Sequence, residues 1–337
     1  MGDADKAAWD GYARSCARSS CYHLTVWKDV IEKSFRHKTH YLLAADESGE
    51  IRGILPLVHM KSALFGNFMV SLPYFNYGGV CVEDMEAQRL LMAAAIMTAA
   101  ELGAMHLELR QHFQMDSGLR TRTSKVSMRL ELRDEQDLWG RFTSKLRSQI
   151  RRPQKEGMYS KIGRMDELEN FYSVFSVNMR DLGTPVYPKE FFRNILELYA
   201  DSWICTVYTR DGLPAASGFL IGFRDTLEIA WASSLRDFNR WSPNMLLYWS
   251  VLSFACGRNF KVFDFGRSTP GEGTFRFKEQ WGAKPAQLYW HYWMREGGPM
   301  PELNPKNPRF RTAIGMWKKM PVCLTRLIGP HIVRNLP

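Results

Sequence analysis

Between positions 263 and 283 the chain reads Phe263-Asp-Phe-Gly-Arg-Ser-Thr-Pro-Gly-Glu-Gly-Thr-Phe-Arg-Phe-Lys-Glu-Gln-Trp-Gly-Ala. A short apolar strand (Val262, Phe263, Phe265) runs into a polar, glycine-rich turn. A short helical segment follows, with Arg276 and Lys278 near its start and Gly282 at its end. Cations, the hydroxyls of Ser268 and Thr274, and free backbone N–H groups thereby gather at a strand end, which suits an anionic or carbonyl-bearing ligand. A strand–loop–helix corner with surface charges is the plainer reading of the same residues.

A second group of chemical interest is Lys145-Leu-Arg-Ser-Gln-Ile-Arg-Arg-Pro-Gln-Lys155. Arg147, Arg151 and Lys155 are spaced i, i+4, i+8 and share one helix face, with Leu146 and Ile150 to one side. Stacked like charges repel unless an anion or acidic side chains sit between them. A solvated amphipathic face and an anion site are the two readings, and Pro153 is expected to kink or end the helix. In Leu72-Pro-Tyr-Phe-Asn-Tyr-Gly-Gly79, the glycine pair permits φ > 0 and close backbone approach. Tyr74, Asn76 and Tyr77 are there either a ligand wall or a packed turn. Met179-Arg-Asp-Leu-Gly-Thr-Pro-Val-Tyr-Pro-Lys189 offers Arg180, Asp181 and Tyr187 on a loop stiffened by prolines.

The elements that carry these residues follow from periodicity. The first half predicts helices over 6–18 and 25–35, and strands at 40–45, 51–59 and 63–72. A helix over 84–102 and a strand at 105–109 complete it. The second half predicts helices over 166–180 and 189–200, and strands at 203–208, 213–223 and 226–233. A helix over 242–257 and a strand at 261–265 follow. The order helix-helix-strand-strand-strand-helix-strand thus occurs twice. Between the copies lie a strand at 126–132 and one basic helix from Glu135 to about Lys155. The expected domains are 1–133, a connecting helix 134–164, 165–298, and a basic amphipathic tail 299–337.

With 337 residues, 45% hydrophobic and 24% charged, the chain is an ordinary globular one, large enough for two domains. Its +10 charge is localised: 141–164 carries +7 and 302–337 carries +6, leaving about −3 elsewhere. Two basic segments on a near-neutral body argue for local contact with something anionic. The six cysteines form no CxxC pair and sit beside no histidines at zinc spacing, so reduced thiols and no metal are expected. His37/His40 and His106/His112 read as surface or core histidines. No apolar leader is visible, and a cytoplasmic location is expected. In the tail, Phe310, Ile314 and Trp317 fall at helical spacing beside Arg311, Lys318 and Lys319, with an apolar run after Pro321. Docking peripherally on the inner face of an anionic cytoplasmic membrane is one reading. A basic tail packed across the protein body is the other.

The order of elements resembles two tandem acyltransferase domains of the GNAT type, an α/β (α+β) class with mixed, mostly antiparallel sheets flanked by helices. Three motifs resemble the FemAB-like family: Lys145-Leu-Arg-Ser-Gln-Ile-Arg-Arg, Arg180-Asp-Leu-Gly-Thr-Pro-Val-Tyr-Pro, and Phe265-Gly-Arg-Ser with Gly273-Thr-Phe-Arg-Phe-Lys-Glu-Gln-Trp-Gly. They are especially similar to the branch associated with exosortase/PEP-CTERM exopolysaccharide systems, and the likeness runs from about Trp9 to Pro337. It implies acyl or aminoacyl transfer to an amine of an envelope glycan or its precursor, with the donor as co-substrate and no tightly bound cofactor. The family's Phe-Lys-x-x-x-Gly motif matches Phe277-Lys278 and Gly282, which carries the active-site lysine onto Lys278. Neither copy has the Arg/Gln-x-x-Gly-x-Gly/Ala loop with which CoA-using relatives bind pyrophosphate. That mildly favours an activated acyl donor other than CoA, and leaves aminoacyl-tRNA and acyl-CoA both open.

Transfer to an amine needs deprotonation, oxyanion donors and alignment. The residues available are Asp264 as base, and Lys278, Arg267 and the 271–274 amides for oxyanion or phosphate. Tyr74, Asn76, Tyr77, Arg180, Tyr187, Ser268, Thr274 and Arg276 would contact substrate. Arg147, Arg151 and Lys155 would hold the phosphates of a nucleotide- or lipid-linked precursor, or of tRNA. The second copy, which carries the lysine motif, is the expected live site. A catalytically silent module binding an anionic glycan or lipid-linked precursor is the alternative, and an RNA-binding protein is a third, weaker reading.

Overall fold

A computed structural model describes residues 2–63, 65–301 and 308–337. The chain opens with helices α1 (Lys6–Ser15) and α2 (Val26–Phe35), then strands β1 (Lys38–Thr39), β2 (Leu42–Ala45), β3 (Ile51–Leu55), β4 (Val58–Ser62), β5 (Gly66–Val70) and β6 (Cys81–Val82). Helix α3 (Met85–Glu101), β7 (His106–Gln111), β8 (Arg120–Arg122) and β9 (Val126–Glu131) follow, then α4 (Glu135–Arg141), α5 (Ser144–Lys155) and β10 (Tyr159–Gly163). Next come α6 (Leu168–Leu182), α7 (Lys189–Leu198), β11 (Ser202–Tyr208), β12 (Pro214–Phe223), β13 (Thr226–Ser234), α8 (Pro243–Gly257), β14 (Val262–Ser268) and α9 (Gly273–Glu279). Strands β15 (Lys284–Gln287) and β16 (Tyr289–Met294) and helices α10 (Pro308–Trp317) and α11 (Val322–Val333) end the chain. The chain divides into two compact units, one of Met1–Val126, Ala286–Leu303 and Arg334–Pro337, the other of Ser127–Pro285 and Asn304–Val333.

In the first unit a six-stranded sheet runs β1-β4-β5-β7-β16-β8, and a smaller one runs β2-β3-β6. The strand expected over 51–59 is two strands in different sheets, because Pro56 lies between them with no N–H to donate to a ladder. Tyr289–Met294, expected with the second domain, pairs antiparallel with β7 from Tyr289↔Gln111 to Met294↔His106. Apolar residues of β7 (Leu107, Leu109) and α3 (Leu91, Ala95, Ala99) share one buried cluster. On the same sheet the buried Arg110 donates to Glu108 at 2.6 Å and to the Phe75 carbonyl at 2.6 Å. The bond to the Phe75 carbonyl ties the 72–79 turn to β7.

In the second unit a seven-stranded sheet runs β10-β11-β12-β13-β14-β9-β15. Strands β10 to β13 are antiparallel neighbours, whereas β13 and β14 are parallel. A parallel pair needs a crossover, and α8, almost wholly apolar, supplies it. The basic helix expected from Glu135 is two helices. Thr143 breaks it in extended conformation and caps α5, its side chain accepting from the Leu146 N–H at 3.2 Å. Leu146, Ile150 and Pro153 form the buried side of α5, which ends two residues after the proline. Among the described residues no helix is long and apolar enough to cross a membrane.

Candidate functional site

β13 and β14 pair from Thr226↔Val262 to Glu228↔Asp264, and the pairing stops there. Both strands continue, β13 to Ser234 and β14 to Ser268. Two irregularities part them. Ala230 is an extra residue in β13, since Ile229 faces Leu220 while Trp231 faces Phe219; a bulge of this kind bends a strand and re-aims its side chains. In β14, Gly266 takes φ 74°, a conformation that strains residues with a side chain. The two parallel strands thus stop pairing before their carboxyl ends, the cleft position at which open α/β sheets bind ligands.

Lys278 reaches this cleft from α9. Its Nζ donates to the carbonyls of Gly266 at 2.9 Å and Arg267 at 3.0 Å. An ammonium has three N–H groups, so a third remains for another acceptor. The residue is only 7% exposed. Burial pushes its pKa down to about 8, with Arg267 acting in the same direction and the charges of Asp264 and Glu228 opposing. Ser268, at the end of β14, is buried and its hydroxyl has no hydrogen-bond partner among the described residues. Arg267, Thr274 and Arg276 are exposed around it.

Asp264 does not face an open cleft. It is fully buried, and its carboxylate accepts from the Ser127 hydroxyl, from the Gly266 N–H at 2.7 Å and from Arg129 Nε at 3.3 Å. These contacts occupy the carboxylate expected to act as base, and its charge opposes the fall in the Lys278 pKa. Glu228 shares that role from the adjacent strand and was missed by sequence reasoning. Its signal was a glutamate inside the apolar run Leu227-Glu-Ile229, and only the register of β13 on β14 places it beside Asp264.

On the β13 side, Trp231 packs edge-on against Tyr187 at 6.0 Å and Phe192 at 5.1 Å. Ser233 accepts from Asn178 at 3.0 Å. Tyr187 therefore joins an aromatic group against β13. Arg180 pairs with its neighbour Asp181 at 2.7 Å.

Arg147, Arg151 and Lys155 do come together. With Trp139, Ser144 and Ser148 they line a pocket of about 340 Å³. None of the three cations has an acidic partner among the described residues, and Arg151 lies over the Trp139 ring at 5.2 Å. Aromatic contacts link this pocket to the lysine helix: Trp139 packs on Trp249 (4.8 Å), Phe142 on Trp281 (5.5 Å), and Tyr248 on both Phe265 (5.5 Å) and Phe277 (5.0 Å).

Tyr74, Asn76 and Tyr77, expected to line a cleft, are packed within the first unit. Tyr77 is 4% exposed and meets Tyr22 edge-on at 5.3 Å. The Tyr74 hydroxyl donates to the Arg334 carbonyl at 2.8 Å, and its ring lies 4.3 Å from Phe35. The Asn76 carbonyl accepts from Trp290 at 3.2 Å. The turn locks its own unit through these contacts.

A family model described as acetyltransferase (GNAT) domain matches residues 140–279, which span both the basic pocket and Lys278. The chain has a tandem GNAT-like fold. Its structure matches a crystal structure of FemX with TM-score 0.68 at 13% identity, covering 92% of this chain and 98% of that one. It also matches the C-terminal domain of a putative lysylphosphatidylglycerol synthetase from Agrobacterium fabrum with TM-score 0.58 at 13% identity, covering 86% and 92%. A tandem GNAT protein from the clavulanic acid biosynthesis pathway gives TM-score 0.57 at 11% identity, covering 89% and 97%. No curated protein matches the chain at a significant level. In the matched domain, α8 opens on Pro243, which has no N–H, after a 3-10 turn over Arg236–Trp241. That proline removes one amide from the helix start.

Proposed function

We propose that the protein is an acyl- or aminoacyl-transferase that forms an amide on an amine of a bacterial envelope glycan or its precursor, and that the reaction takes place in the β13/β14 cleft. The observation that carries this reading is Lys278: a buried ammonium anchored to two carbonyls where parallel strands part, with one N–H to spare. When an amine attacks the donor carbonyl, negative charge develops on the carbonyl oxygen, and a fixed cation in a water-poor site stabilises it. Lys278 fills that role, and the Ser268 hydroxyl adds a second donor. Asp264 and Glu228 keep the lysine charged at neutral pH despite its burial. The incoming amine passes its proton to solvent or to the departing donor oxygen or sulfur.

The pocket of Arg147, Arg151 and Lys155 takes phosphate groups, either of a nucleotide- or lipid-linked glycan precursor as acceptor or of a tRNA donor. Aminoacyl-tRNA is the favoured donor, a reading supported by the absence of a glycine-rich pyrophosphate motif before α8 and by Pro243, which offers no N–H, at its start. A role in exopolysaccharide assembly and a cytoplasmic location, where both donors reside, belong to the same proposal. The pocket's cations, which have no acidic partner among the described residues, also support a second reading, a silent module that binds such a precursor without turnover.

The test is transfer from a labelled aminoacyl-tRNA pool and, separately, from labelled acetyl-CoA to an envelope extract. Label incorporation from tRNA supports the full reading. Incorporation from acetyl-CoA alone overturns the donor assignment, and tight precursor binding without incorporation from either favours the silent module.

A further inference from the structure

Helix α11 is turned the wrong way round for a helix on a globular protein. Thr325, Gly329 and Val333, at i, i+4, i+8, form its buried face. Arg326 beside them donates to the Ser176 hydroxyl of α6 at 2.8 Å, and a Cβ on Gly329 would lie 2.8 Å from the Val186 backbone nitrogen. Close approach of small residues fixes this side against the protein. The large apolar residues point outward instead: Leu324 is 43% exposed, Leu327 67% and Ile328 39%. Met316 of α10 adds a residue 67% exposed. Ordinary surface helices place leucines inward and polar groups outward, and an exposed apolar cluster marks an interaction site.

Charge selects the occupant. Lys318 and Lys319, in the turn between α10 and α11, are exposed and have no acidic partner among the described residues. The segment 302–337 carries +6 with a single acid. A second copy of the chain docked face to face would bring two such segments together, and like charges disfavour that. An anionic bilayer satisfies both features, because leucines enter the acyl boundary while lysines meet the headgroups. The side chains of Phe310 and Arg311, assigned to this surface on sequence, lie outside the described residues.

We infer that the outer face of α11, with Lys318 and Lys319, is a docking surface for an anionic lipid membrane. The inference is independent of the transfer reading, because it rests on a different face and its test involves no turnover. The full chain is floated with vesicles of phosphatidylcholine alone and with vesicles containing phosphatidylglycerol. Wild-type protein binds the anionic vesicles and not the neutral ones. The triple variant Leu324→Ser/Leu327→Ser/Ile328→Ser loses that binding while its melting temperature is kept, since all three residues are exposed. Lys318→Gln/Lys319→Gln weakens it about thirtyfold, from the usual contribution of a lysine near an anionic surface. Absence of wild-type binding, equal binding to neutral vesicles, or full binding by the triple variant overturns the inference. Wild-type self-association that the triple variant abolishes would do so too, by assigning the face to a second copy.

Discussion

Replacing Lys278 with methionine separates the catalytic from the structural consequences of a buried cation. Lowering the lysine pKa from its usual 10.5 to about 8, at about 1.4 kcal/mol per pH unit, means that holding the ammonium in the fold costs roughly 3 kcal/mol. Methionine removes that cost and fills similar volume, but it leaves the carbonyls of Gly266 and Arg267 without their donor, a loss of about 1 to 3 kcal/mol for each buried group. The opposing effects place Lys278→Met between about 1 kcal/mol more stable and about 3 kcal/mol less stable than wild type at neutral pH. The pH dependence is the sharper readout. Between about pH 8 and 10.5 the unfolded lysine is protonated and the folded one is not, so raising pH through this window stabilises the wild-type fold. Urea unfolding should therefore find wild type gaining roughly 2 to 3 kcal/mol on the variant from about pH 7 to about pH 10. Transfer should fall at least about a hundredfold in the variant. In wild type, transfer should decline as pH rises through about 8, when the ammonium is lost. A stability difference that stays flat with pH would refute the reasoning, because it would mean that the lysine is solvated.

Three further outcomes are expected. Ser268→Ala should leave stability within about 0.5 kcal/mol, since the buried hydroxyl has no partner among the described residues, and should lower kcat about tenfold if that hydroxyl bonds the developing oxyanion. Neutralising Arg147, Arg151 or Lys155 should raise KM for a phosphorylated acceptor about tenfold each with kcat unchanged, and should reduce the salt dependence of binding. In the first unit, Glu108→Gln leaves the buried Arg110 without its 2.6 Å partner, and thermal unfolding should register a loss of about 3 kcal/mol.

Much of the element order was legible because the chemistry is local. The two copies alternate apolar strands with helices whose caps and periods are plain, and the basic stripe of α5 was visible from an i, i+4, i+8 spacing. Breaks set by a single residue were harder. Pro56 divides one apolar run into strands of different sheets, and Thr143 interrupts a continuous basic run. Nonlocal pairing was harder still. Nothing within Tyr289–Met294 announces β7 as its partner, and the glycine pair after Tyr77 reads equally as a ligand wall or as the packed turn it is. In the site, Lys278 was legible from its motif, whereas its anchors were not. The Gly266 and Arg267 carbonyls, the Ser127–Asp264 contact and Glu228 become neighbours only through the register of β9, β13 and β14.

The central claim is that the β13/β14 cleft transfers an acyl group with Lys278 at its centre. The most direct measurement supplies both labelled aminoacyl-tRNA and labelled acetyl-CoA to wild type and to Lys278→Met, each with the same envelope extract, and follows label into amide-linked product. The account predicts incorporation by wild type from the tRNA donor and background incorporation by a folded Lys278→Met variant. Equal incorporation by the two proteins would contradict it.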